Sequence, residues 1–367
     1  MHHLEAVTAS APGKINLQLL VGKPDSNGYH PLYSIFETVG LRETCIAKFT
    51  PQREHLSGSP TLPNSTPTLL AHTASGYPIT VRTSVELGSS VADAQALQQL
   101  NDVAATDHLA WKAAAKLVEK AAEIPEYQLL PKETQLDLTI IKRIPAAGGM
   151  AGGSADAAAT LVAVNELLGL RLSNGELEKI ARTLGADVPA CLTGGTSLGL
   201  GYGDHMTRLD TYFSPQTADS TPGHTHHWVM VMSPTGLSTP AVFKAFDAAN
   251  AGRPLIPAVT DLTEVLTHDT QLPKALCEAK QMAEIMENDL QETAFALRPD
   301  VAQVHQYLET LGAHKVMLSG SGPTLAVLAE NEAAARALGE KISTHPQVAG
   351  VLITSGPGLP AMVEKTQ

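Results

Sequence analysis

The sequence predicts a two-domain protein of mixed α+β class, with helices packed on sheet in two-layer sandwiches. Three observations carry that prediction. The chain has 367 residues, enough for two hydrophobic cores. Short β-branched or alternating apolar runs are interleaved with longer runs of helical period from one end to the other. The polar, mixed stretch Pro215–His227 separates these elements into two groups, so the expected domains are residues 1–222 and 223–367. No internal repeat is visible.

Residues 5–22 and 34–50 are rich in apolar and β-branched residues and read as strands. The loop between them, Lys23–Pro31, is dense in turn formers (Pro24, Asp25, Asn27, Gly28). From Ser57 to Pro78 the composition shifts to Ser, Thr, Pro and Gly, which reads as an inserted loop. Leu97–Glu123 has helical periodicity with an Ala-rich face, and Leu136–Lys142 alternates as a strand does. Ala155–Leu168 is a run of helix formers. Ser173 and Glu176 have capping-box spacing, opening a helix through Leu184 that Gly185 stops. Gly194–Gly203 reads as a turn between strands. Beyond the boundary, Trp228–Ser233, Lys315–Ser319, Leu325–Ala329 and Val348–Thr354 read as strands. Thr239–Ala249, Leu276–Leu297, Val301–Leu311 and Glu332–Ser343 read as helices, and residues 252–273 as irregular.

Composition narrows the function. Charged residues make up 17% of the chain and the formal net charge is −12, with no Lys/Arg run, which argues against nucleic acid or an anionic membrane as partner. Cys45, Cys191 and Cys277 are far apart and odd in number, which fits neither a disulfide framework nor a zinc pattern. The first residues lack the basic and apolar regions of a signal peptide, and no apolar run approaches a membrane span. The expectation is a cytoplasmic protein acting on a small molecule, as monomer or homodimer.

The chemistry concentrates in Pro145–Ala158, where Gly148, Gly149, Gly152 and Gly153 precede Ser154 and an Ala-rich run. Paired glycines let backbone N–H groups approach a ligand closely, and a helix starting at Ser154 would aim its own free N–H groups into the same space. That is a phosphate cradle. It is neither a Walker A loop nor a dinucleotide fingerprint, because the spacings differ. Lys14 and Asn16, in Ala11–Leu17, share one face of a strand. Asp187 lies between a helix stop and Pro189, either a turn Asp or a carboxylate facing the cradle. Asp156, in the first turn of the cradle helix, is expected to favour the helix dipole. Tyr29 and His30 offer a stacking face and hydrogen bonds suited to a nucleobase. Ser319–Pro323 is either a tight turn or a second glycine loop, and His224, His226 and His227 are expected in a solvated linker.

Ala11–Leu17, Pro145–Ala158 and Ser319–Gly322, in this order, resemble the three motifs of the GHMP kinases, the family of galactokinase, homoserine kinase and mevalonate kinase. Asn27–His30, Leu184–Pro189 and Asn288–Leu290 resemble the branch of that family whose acceptor is a cytidine-diphosphate sugar alcohol of the non-mevalonate isoprenoid pathway. The resemblance covers roughly residues 8–50, 107–210 and 228–356. It implies an N-terminal α/β domain with a left-handed βαβ unit, a ferredoxin-like C-terminal domain, and ATP with Mg²⁺ as cofactors. ATP would contact Lys142, Pro145, Ala147, Gly148, Gly149, Met150, Ala151, Gly152, Gly153 and Ser154, with Ser154 also the expected Mg²⁺ donor. Asp187 would take the acceptor proton beside Lys14, and Asn16 would orient the hydroxyl. Tyr29 and Phe243 would sandwich the cytosine, and His30 would hydrogen-bond it. Four features depart from the branch pattern: a longer segment over about 57–101, Asp107-His108-Leu109 where an Asn-Leu pair is usual, Gly13 for the more usual Ala, and Asn27 for a usual Asp, where either residue suits the turn. Another kinase of the same family, or a catalytically silent relative that binds nucleotide, is the alternative reading.

Overall fold

The computed structural model describes residues 6–26, 28–52, 64–124, 130–146, 148–201, 205–209, 225–250 and 272–364. Strand β1 (Val7–Val21) and strand β2 (Leu32–Pro51) form a long antiparallel pair with register shifts at Pro12/Lys14 and Asn16/Gln18. Such irregularities re-aim side chains, and here they flank both polar residues of the Ala11–Leu17 motif. Two further strands, β3 (Leu69–His72) and β4 (Pro78–Val85), form a hairpin. Helices α1 (Ser90–Asn101) and α2 (Leu109–Ala122) then lead to β5 (Thr134–Lys142), which pairs parallel with β4. This is a βαβ crossover.

The cradle helix α3 (Gly152–Leu168) packs on β1, β2 and α2. Its Ala155, Ala157, Ala158, Ala159 and Ala163 are buried, and their short side chains let the helix lie close to its neighbours. The next elements are α4 (Asn174–Arg182), α5 (Val188–Thr193), β6 (Thr196–Leu200) and β7 (His205–Arg208). The capping box at the start of α4 forms as expected, with Ser173 accepting from Glu176 N and Glu176 accepting from Ser173 N.

The second sheet contains β8 (His226–Met232), β10 (Lys315–Leu318), β11 (Leu325–Ala329) and β12 (Gly350–Gly356) in the antiparallel order β10-β11-β8-β12. Helix α6 (Thr239–Ala249) follows β8. Segments α7 (Leu272–Ala275), α8 (Ala279–Ile285), β9 (Glu287–Asn288), α9 (Gln291–Leu297) and α10 (Pro299–Glu309) precede β10. Helix α11 (Glu332–Ser343) joins β11 to β12. Strand succession and order are those of a ferredoxin-like split βαβ unit. The chain then returns, and β13 (Met362–Val363) pairs with the outer edge of β1. Arg42 holds that return by donating to the carbonyls of Leu359 and Pro360.

Several local expectations are corrected. Within Ser57–Pro78, the part from Asn64 onward contains β3 and the start of β4, and residues 57–63 lie outside the described residues. The alternation Ile79, Val81, Thr83, Val85 is a half-buried strand signal that the Ser/Thr-rich surroundings mask. Leu97–Glu123 is not one helix: α1 starts earlier, where Ser89 caps Ala92 N, and stops at Asn101, and a 3₁₀ turn at Ala105–Asp107 precedes α2. Gly194–Gly203 contains strand β6, which pairs with β2 from Thr196 through Gly199, so the glycine there does not stop the strand.

Leu276–Leu297 is broken by β9, where Asn288 donates to the carbonyls of Leu318 and Gly320 and Asp289 accepts from Val21 N. Tertiary pairing overrides helical propensity there. His226 and His227 belong to β8, not to a solvated linker. His224, most of Pro215–His227 and most of 252–273 lie outside the described residues.

The two sheets are joined by a buried polar clamp. Glu37 of β2 accepts from Trp228 Nε1 at 2.8 Å and meets His226 Nδ1 at 2.6 Å. Burial disfavours the His226 cation, but the adjacent Glu37 carboxylate outweighs it and raises the His226 pKa.

Candidate active site

A cleft of about 350 Å³ opens between the glycine loop, the middle of β1, the start of α5 and the C-terminal unit. It gathers residues from all three sequence motifs: Lys14 and Asn16, Gly148–Gly149 with Gly152–Gly153, and Gly320–Ser321. Asp187 and Phe243 also line it.

Backbone sterics position the cradle. Gly149 has φ +77°, and a Cβ there would lie 1.8 Å from the Ser319 carbonyl oxygen. No side chain fits, so the first glycine loop and the Ser319–Gly322 loop touch backbone to backbone. Ser319 Oγ donates to the Gly149 carbonyl, and Asn288 holds the Gly320 carbonyl from behind. The second loop therefore supports the first. Ala151 takes the left-handed conformation at φ 59°, so α3 begins at Gly152 with no side chain capping its free N–H groups. A helix start left bare and facing a cleft is where an anion binds. Ser154 is the third residue of α3, not its cap.

The polar floor is a chain of donors and acceptors. Lys14 Nζ donates to Asn16 Oδ1 at 2.7 Å, Asn16 Nδ2 donates to Ser34 Oγ at 2.7 Å, and Ser34 donates to the Gln18 carbonyl. These bonds lock the Asn16 amide orientation. Lys14 is only 5% exposed, and its ammonium lies 5.2 Å from the centre of the Phe36 ring. Its remaining charge partner is Asp187, with Nζ to Oδ2 at 3.6 Å. Asp187 occupies the N-cap position of α5 but makes no capping bond, so its carboxylate faces the cleft instead. Asp187 thus sits in the turn that leads into α5 and also lines the cleft.

Other predicted residues fall differently. Lys142 lines no part of this cleft. Its side chain is 3% exposed, and Nζ meets Glu43 Oε1 at 2.8 Å and Asp156 Oδ2 at 2.7 Å beneath the start of α3. Two buried carboxylates thus hold its ammonium, leaving its backbone as the part of Lys142 that a nucleotide would meet. Asp156 likewise serves as a buried ion-pair partner and not as an exposed dipole partner. Ala147 lies outside the described residues. Met150 is fully buried, and its carbonyl accepts from Lys14 N.

His30 lies beside the cleft, its ring 5.1 Å from Phe243, with Nδ1 2.8 Å from the Gly22 carbonyl and Nε2 3.3 Å from Asp247. Tyr29 is 67% exposed and does not line the cleft. Of the two rings expected to sandwich a base, Phe243 lines the cleft and Tyr29 does not. Sequence reasoning missed Glu43, Ser34 and Thr239. Thr239 shares a hydrogen bond with Ser321 at 2.7 Å across the cleft wall. Their contacts are all long-range, and no local pattern signals them.

Comparison with known proteins agrees with this geometry. The GHMP kinases N terminal domain matches residues 108–195, and the GHMP kinases C terminal domain matches residues 274–347. The 4-diphosphocytidyl-2-C-methyl-D-erythritol kinase of Corynebacterium efficiens is 36% identical over 354 residues, covering 94% of both chains. This chain belongs to the GHMP kinase family. A second GHMP-type relative, the protein of the same name from Pseudarthrobacter chlorophenolicus, is 36% identical over 359 residues, covering 95% of each chain. Among solved structures, a 4-(cytidine 5'-diphospho)-2C-methyl-D-erythritol kinase superposes with TM-score 0.60 at 24% identity, covering 96% of this chain and 100% of that one. The L. major mevalonate kinase in complex with R-mevalonate superposes with TM-score 0.60 at 16% identity, covering 96% of each. These superpositions establish the two-domain GHMP kinase fold. Among the described residues no helix is long and apolar enough to cross a membrane.

Proposed function

We propose that this GHMP kinase transfers the terminal phosphoryl group of ATP to the 2-hydroxyl of 4-diphosphocytidyl-2-C-methyl-D-erythritol, in the cytoplasm, as a step of the non-mevalonate isoprenoid route. The observation that carries the reading is the Lys14–Asp187 pair facing the glycine cradle across one cleft. The substrate name rests on relatives more than one-third identical over nearly the whole chain.

Phosphoryl transfer needs in-line positioning and stabilisation of spread negative charge more than covalent chemistry. The bare N–H groups of Gly152, Gly153 and Ser154 and the loop backbone bind the phosphates. Asp187 accepts the proton of the acceptor hydroxyl and aligns its oxygen. Lys14 steadies Asp187 and offsets charge on the transferring group. Asn16, its amide fixed by Lys14 and Ser34, orients the hydroxyl. Phe243 supplies a ring face for the cytosine beside His30.

Among the described residues no group of three His, Cys, Asp or Glu side chains could hold a metal ion. Mg²⁺ binds through few protein oxygens and substrate phosphates. The Ser154 hydroxyl, a hard oxygen donor in the first turn of α3, would hold it with the phosphates. When bound, Mg²⁺ neutralises phosphate charge.

The test is a coupled ADP-release assay with Mg-ATP and 4-diphosphocytidyl-2-C-methyl-D-erythritol, run beside mevalonate and homoserine. Turnover with the cytidine substrate alone is expected. Turnover with mevalonate or homoserine instead would replace the acceptor, and ATP binding without any turnover would favour a silent relative.

A further inference from the structure

Behind the phosphate cradle lies a buried charge cluster that the mechanism does not use. Glu43 of β2, Lys142 at the end of β5 and Asp156 of α3 meet with side chains at most 3% exposed. One ammonium faces two carboxylates, so the fully ionised cluster carries a net negative charge. Glu43 Oε2 also accepts from Arg143 N at 2.7 Å, while Asp156 Oδ1 has no hydrogen-bond donor among the described residues. The cluster lies directly under the cleft. A Cβ built on Gly152, a cleft-lining residue, would lie 3.1 Å from Glu43 Oε1 and 3.4 Å from Lys142 Nζ.

A bare negative charge at that position opposes a bound triphosphate, and because the cluster is buried the repulsion is weakly screened. A neutral cluster does not. We propose that Glu43 is a positioning residue for the phosphate cradle: carrying a proton, it keeps the Glu43–Lys142–Asp156 cluster neutral behind Gly152, and losing that proton weakens nucleoside triphosphate binding. The proposal rests on the cradle being the triphosphate site.

The surroundings favour the protonated form. Burial pushes the Glu43 carboxyl up to about 8, opposed by Lys142 and reinforced by Asp156. The remaining titratable groups around it come from the start of α2, from α5 and from β2 itself. His108 at the start of α2 is driven toward its neutral form by burial. The thiols of Cys45 on β2 and Cys191 on α5 are raised by burial, so they stay uncharged. Lys142 and Asp156 are thus the only charged side chains among these groups. Lys142 holds its proton firmly: burial lowers its pKa, but Asp156 and Glu43 together raise it beyond that loss. Glu43 is the member of the cluster that titrates as the solution turns alkaline.

The experiment measures KM for ATP and kcat with saturating Mg²⁺ from about pH 7 to about pH 9.5, for the natural chain and for Glu43→Gln, a window that spans the Glu43 value of about 8. The natural chain is expected to lose ATP affinity by roughly tenfold across that window, with kcat changing less, as one added charge near the phosphates requires. Glu43→Gln, an uncharged isostere, should match the natural KM at pH 7 and stay flat above it. An equal alkaline rise in both proteins, or a flat natural profile, overturns the proposal. Direct titration with ATP at both ends of that pH window separates the two claims: no binding at either end refutes the cradle, while equal binding at both refutes only the role of Glu43. Infrared difference spectra give a readout that needs no turnover. A carboxylic-acid C=O band in the natural chain at pH 7 should vanish above pH 9 and be missing in Glu43→Gln. Should that variant not fold, the pH titration of this band in the natural chain still decides, and its absence at pH 7 overturns the proposal.

Discussion

Lys14 and Asp187 meet in the cleft with Nζ and Oδ2 3.6 Å apart, one from the first strand and the other from the start of a short helix beyond the phosphate loop. The ammonium is nearly buried while the carboxylate is about one-third exposed, so the pair is anchored on one side and open to substrate on the other. That asymmetry suits a carboxylate that must receive a proton and then release it.

Asp187→Asn removes the acceptor of that proton without changing the size of the side chain. Turnover should fall by about 10²–10⁴-fold, the usual contribution of a general base, with ATP binding nearly unchanged. Steady-state kinetics with a parallel ATP titration checks it, and near-normal turnover would remove Asp187 from the mechanism.

Gly149→Ala should abolish ATP binding. Its φ of +77° and the 1.8 Å approach of a Cβ to the Ser319 carbonyl leave the loop no conformation that keeps both glycine segments in place. Isothermal titration with ATP tests this, and a variant that binds as the natural protein does would show that the two loops need not touch.

Phe243→Ala should raise KM for the cytidine substrate by roughly ten- to a hundredfold, the range of base–aromatic stacking, and leave KM for ATP nearly unchanged. Tyr29→Ala should have the smaller effect, because Tyr29 is 67% exposed and outside the cleft. Equal effects would mean that the loop carrying Tyr29 folds over the base when substrate is bound.

The Glu37–His226 clamp makes stability depend on pH. A histidine whose pKa is raised on folding stabilises fully below its unfolded value of about 6.5, and that stability is lost as pH rises through the folded value. Thermal unfolding should therefore show the difference in Tm between the natural chain and His226→Gln largest near pH 6 and shrinking toward pH 9. A difference that does not change with pH would show that His226 acts through packing alone.

The glycine cradle, the capping box at Ser173 and the strand bearing Lys14 and Asn16 were legible in the sequence because each is a local device. Paired glycines, a Ser-x-x-Glu spacing and a two-residue strand period state their own geometry. The elements misread, β3 and β4 within the Ser57–Pro78 stretch and its continuation and β9 within an apparent helix, exist because a distant strand pairs with them. Lys142 is the clearest case. Its place just before the cradle is legible locally, but its buried partner Glu43, about one hundred residues earlier in the chain, is not.

The sequence by itself determined the local devices: the paired glycines before an Ala-rich helix, and the strand period that sets Lys14 and Asn16 on one face. Only the tertiary structure decided the partners. It turned Asp187 toward Lys14, buried two carboxylates against one lysine, and placed Phe243 in the cleft wall. The physical reason is that burial and charge pairing depend on what packs around a side chain, and those neighbours come from parts of the chain that no local pattern links.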